Sequence, residues 1–82
     1  MNIENEEEGV LMTAKTTGKR AGQRIIYSFS NPEHALGMDK KDIIMAEMEA
    51  CERLLKYVRD ESERKAAEKE IAELRMALDL LT

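Results

Sequence analysis

The sequence predicts a mainly α-helical fold, with α+β as the alternative. A long antiparallel helical hairpin over about 39–59 and 61–81 follows one strand or a small β-hairpin over about 10–15 and 24–30. Three observations carry this reading. Apolar residues recur at alternating steps of four and three in two stretches, Ile44-Met48-Cys51-Leu55-Val58 and Ala67-Ile71-Leu74-Leu78-Leu81. That is the spacing of a buried helix face. An aspartate stands ahead of each stretch, Asp39 and Asp60, where its carboxylate can accept from the free N–H groups of a helix start. Finally, Ile25, Tyr27 and Phe29 recur at period two, the mark of a strand with one apolar face.

Taken in chain order, the first eight residues are polar and acidic, with Glu4, Glu6, Glu7 and Glu8. They offer nothing to bury against the entropy of ordering, so a disordered tail over 1–8 is expected, followed by a single small domain over 9–82. Val10, Met12 and Ala14 form an apolar alternation that matches the face of Ile25, Tyr27 and Phe29. The segment from Thr16 to Gln23 between them holds Gly18 and Gly22, which suit a turn. Asn31-Pro32 then breaks the strand. Asn31 is placed as a cap with Pro32 at a first helical position, and Gly37 can end the short turn.

Asp39 caps the first long helix, with Asp42 in its first turn. Met38 and Ile43 are spaced for a hydrophobic staple across that cap. Asp60 with Glu63 reads as the cap of the second helix. Between the helices, Arg59-Asp60-Glu61-Ser62-Glu63 holds no Gly or Pro. One continuous helix in a coiled coil therefore stays open as the rival to the hairpin.

The order strand, helix, helix from Arg24 to Leu81 resembles the ribbon-helix-helix DNA-binding dimers, with Arg24-Ile25-Ile26-Tyr27-Ser28-Phe29 as the ribbon. The helices here are longer, the link lacks a glycine, and the outward ribbon positions are not clearly basic. What the resemblance implies is a dimeric nucleic-acid-binding regulator.

Charge is unevenly spread. The net charge is −4, yet the acidic start is followed by Lys15, Lys19, Arg20 and Arg24 with no acid among them. On a glycine-containing turn these four could hold phosphates, or they could be a solvated turn balancing the acidic arm. Gly18-Lys19 is not a phosphate loop of the Walker type, because Thr13 and Arg20 stand where that motif needs Gly and Ser or Thr.

Enzyme chemistry finds no support in the sequence. The acids Glu47, Glu49, Glu52, Glu68, Glu70 and Glu73 read as a solvated face. A di-metal site would pair Glu with His on the helices, and the one histidine, His34, lies outside both. Cys51, the one cysteine, sits on the apolar seam and reads as a small buried hydrophobe. A single cysteine rules out an intrachain disulfide, and with one His a single chain cannot supply the four N/S ligands of a structural zinc site. Met45, Met48 and Met76 read as filling. No cofactor, metal or small-molecule ligand is expected. No apolar run reaches the length of a membrane span and the acidic start is unlike a signal peptide, so a cytoplasmic protein is expected.

A two-helix hairpin leaves much of each helix wet, and a chain this short is marginal alone. A homodimer is therefore expected, self-associating through Ile44, Met48, Cys51, Leu55, Val58, Ile71, Leu74, Leu78 and Leu81. The expected role is a non-enzymatic protein-interaction or adaptor module. The alternative is a nucleic-acid-binding regulator using Lys15, Lys19, Arg20 and Arg24.

Overall fold

A computed structural model of the chain describes residues 10–18 and 22–81; the expected tail over 1–8 lies outside the described residues. Strand β1, Met12–Thr17, pairs antiparallel with strand β2, Arg24–Phe29. A 3-10 turn over Pro32–Gly37 leads to helix α1, Lys40–Leu55, and helix α2, Glu61–Leu81, packs back against α1. A sheet packed on two helices makes the domain α+β. The hairpin, not the continuous helix, is the arrangement found.

Alternation sets the faces of the sheet. The pairs Met12–Phe29, Ala14–Tyr27 and Thr16–Ile25 share the inner face, while Thr13–Ser28, Lys15–Ile26 and Thr17–Arg24 share the outer one. β1 runs two residues further than the expected 10–15, because Thr16 and Thr17 pair with Ile25 and Arg24. Gly18 then turns the chain at φ +93, where a Cβ would lie 2.7 Å from the Gly22 carbonyl oxygen. Only glycine adopts this conformation without strain.

The inner face settles on α1. Met12, Ala46 and Ala50 form a buried cluster ringed by Ala14, Tyr27, Phe29 and Met38. Alanine at 46 and 50 lets the sheet approach the helix closely. Cys51, Ala67 and Leu74 are the buried residues of the two-helix seam. Two side chains tie β1 down: Arg53 Nη2 donates to the Met12 carbonyl at 3.0 Å, and Thr16 Oγ1 donates to Glu63 Oε2 at 3.0 Å.

The helix starts follow the capping residues. Asp39 Oδ1 accepts from Asp42 N–H at 2.9 Å, Asp60 Oδ2 accepts from Glu63 N–H at 3.3 Å, and Asn31 Oδ1 accepts from Glu33 N–H at 3.1 Å. The Ser62 hydroxyl also donates to Asp60. The end of α1 differs from expectation. It stops at Leu55, not near 59, and Val58 lies half-buried in the link. Lys56 and Tyr57 donate to the carbonyls of Arg53 and Leu54, three residues back. This tightening ends the helix without Gly or Pro. No helix among the described residues is long and apolar enough to cross a membrane.

Candidate functional site

The polar side chains that converge inside the fold meet where β2, α1 and α2 come together. Period-two alternation turns Tyr27 inward from β2. Cys51 comes from the seam face of α1 and Glu70 from the flank of α2. The Tyr27 hydroxyl donates to Glu70 Oε2 at 2.6 Å and lies 3.4 Å from Cys51 Sγ. Tyrosine has one hydroxyl hydrogen. With that hydrogen given to Glu70, the thiol S–H is the donor in the sulfur contact. The order is then Cys51 S–H to Tyr27 O–H to the Glu70 carboxylate.

Burial, reinforced by hydrogen bonds to Cys51 and Glu70, raises the Tyr27 pKa far above the usual phenol range, so the hydroxyl stays a donor. Burial also pushes the Cys51 thiol up. The charges of Glu70, Glu47 and Glu52 add to this. A thiol held protonated, fully covered and among carboxylates is a poor nucleophile. Glu47 is half-buried, and its carboxyl is raised first by burial and then by the charge of Glu70. The arrangement ties three elements together and holds no activated nucleophile.

Glu47 and Glu70 therefore depart from the solvated face expected of them. The seam pattern marks Glu70 as off-seam, and nothing local in the sequence announces the Tyr27 hydroxyl that receives it. Glu49, Glu52, Glu68 and Glu73 are exposed, as expected. Among the described residues, no three of His, Cys, Asp or Glu converge as metal ligands.

Of the basic residues, Lys15 and Arg24 are exposed on the outer face of the hairpin, on diagonal positions across the register. Lys19 and Arg20 lie outside the described residues. Of the residues expected to self-associate, Cys51 and Leu74 are buried within the chain. Ile44, Met48, Leu55, Val58, Ile71 and Leu78 are half-buried, and Leu81 is exposed.

The surface holds two further features. A groove of about 300 Å³ lies between the start of β2, Gln23 to Ile25, and Ala66, Lys69, Glu70 and Glu73 of α2. Gln23 Oε1 is buried beside it without a hydrogen-bond partner among the described residues. Large apolar side chains are also left outside: Met76 is 67 % exposed, Leu80 87 % and Leu36 88 %.

In comparisons with known proteins, no family model, no curated protein and no solved structure matches this chain.

Proposed function

We propose that this protein is a small, non-enzymatic interaction or adaptor module that self-associates through its amphipathic helices. The observation behind this reading is the makeup of the interior. Among the described residues the buried apolar set is Met12, Ala46, Ala50, Cys51, Ala67 and Leu74. Half of it is alanine, while Met76, Leu80, Leu36 and Tyr57 remain exposed. A small domain gains stability in proportion to the apolar area it covers. This one keeps much of its large aliphatic surface uncovered, and a second copy is the partner always present at equal concentration. The single thiol suits a reducing, cytoplasmic setting.

The test is native mass spectrometry from low to high micromolar protein. A dimer population that grows with concentration supports the reading. A single-chain species throughout contradicts it.

One observation favours a second reading. Lys15 and Arg24 are both exposed on the outer face of the hairpin, at diagonal positions, and the sequence between them carries Lys19 and Arg20. This surface suits nucleic-acid phosphates. Binding to mixed-sequence duplex DNA and RNA over a salt series tests it. A steep salt slope that shallows in the Lys15→Ala, Arg24→Ala variant supports it, and no binding at low salt eliminates it.

A further inference from the structure

The inner seam of α2 faces α1, but a second stripe with the same spacing runs along its outer flank. Ser62, Ala66, Lys69, Glu73, Met76 and Leu80 follow one another at steps of four and three. Met76 and Leu80 are the most exposed large apolar side chains of α2. Lys69 and Glu73 are exposed, and neither has an ion-pair or hydrogen-bond partner among the described residues.

The order along this stripe is small, small, positive, negative, large, large. Laid antiparallel on a second copy about a two-fold axis between Lys69 and Glu73, every position meets its complement. Ser62 faces the partner's Leu80, Ala66 faces the partner's Met76, and Lys69 faces the partner's Glu73. The symmetry repeats each contact in reverse. A parallel pairing in register would set like charge on like charge and Leu80 on Leu80. Ala66, Lys69 and Glu73 of this stripe also line the groove against the start of β2, so a partner laid along the stripe covers that groove.

We infer that a second copy of this chain docks antiparallel along the outer flank of α2, with reciprocal Lys69–Glu73 pairs at the centre. This rests on the self-association reading and names its surface. The stripe from Ser62 to Leu80 is about 27 Å long at the α-helical rise. A single helix face of that length gives an interface at the small end of specific ones, so the dimer is weak and concentration-dependent.

Charge exchange tests the geometry. Wild type, Lys69→Glu and Glu73→Lys are compared by sedimentation velocity, alone and with the two variants mixed in equal amounts. Each variant alone brings like charges together and raises the dimer dissociation constant by about tenfold or more. In the mixture, the Lys69→Glu chain presents two acids at the centre of its stripe and the Glu73→Lys chain presents two bases. Opposite charges then face each other, and dimerisation returns as a heterodimer. Met76→Ala, which removes the large side chain that faces the partner's Ala66, weakens the dimer independently of the charge pair. If wild type dimerises while the variants match it, or if the mixture stays monomeric, the α2 docking is overturned and self-association by another face stands. If wild type is monomeric throughout, both are overturned.

Discussion

The Tyr27 hydroxyl and the Glu70 carboxylate lie 2.6 Å apart, joining the middle of β2 to the flank of α2. This bond ties the second strand to the second helix across the fold. Tyr27→Phe keeps the ring against the Met12–Ala46–Ala50 cluster and removes the hydroxyl. It leaves a half-buried carboxylate without its donor. A loss of about 1–3 kcal/mol is expected, read as a lower urea midpoint with an unchanged slope. Glu70→Gln, which still offers an acceptor, is expected to cost less.

Glu47 supplies a pH dependence of known sign. Its carboxyl is raised above the ordinary value by burial and by Glu70. The folded state therefore binds that proton more tightly than the unfolded chain does. This group favours folding below the unfolded pKa, and the contribution is lost as pH rises through the folded pKa. Glu47→Gln is expected to raise the melting temperature at neutral pH, with the gain vanishing in acid below the ordinary carboxylate range. Thermal melts of both proteins across about pH 3–8, which spans carboxyl titration, check this.

Arg53 anchors the sheet to α1 through the Met12 carbonyl. In Arg53→Ala the first strand loses a charge-assisted bond worth roughly 1.5–3 kcal/mol. The loss is expected mainly in the hairpin. Amide exchange of β1 and β2 should speed up, while the centre of α2 keeps its protection.

Ala50 is 1 % exposed beneath Met12. Ala50→Leu forces a larger side chain into the sheet–helix contact, with an expected cost of about 1–3 kcal/mol. Ala72→Leu, at an exposed position of α2, is expected to leave stability nearly unchanged. Chemical denaturation of the pair separates close packing from helix propensity.

The fold is legible in the sequence where the signal is local. Alternation of Ile25, Tyr27 and Phe29 places the inner face of β2. The carboxylates of Asp39 and Asp60 place both helix starts, and the Asp60 cap between two seams of equal spacing favours the hairpin over one continuous helix. The end of α1 is hidden because Leu55-Lys56-Tyr57-Val58 contains no breaker. The helix stops there by switching to three-residue hydrogen bonds, which composition does not encode. The importance of Ala46 and Ala50 is hidden too. Their face is defined by a sheet lying on it, while the sequence pattern draws attention to Ile44 and Met48. Glu70 escapes for the same reason: its partner is 43 residues away on another element.

The central claim is that this chain leaves its large apolar residues for a second copy to cover. Sedimentation equilibrium over a range of loading concentrations tests it most directly. The account predicts a weight-average mass that rises reversibly from the single-chain 9.4 kDa towards twice that value. A mass that stays at 9.4 kDa up to high micromolar protein would contradict it.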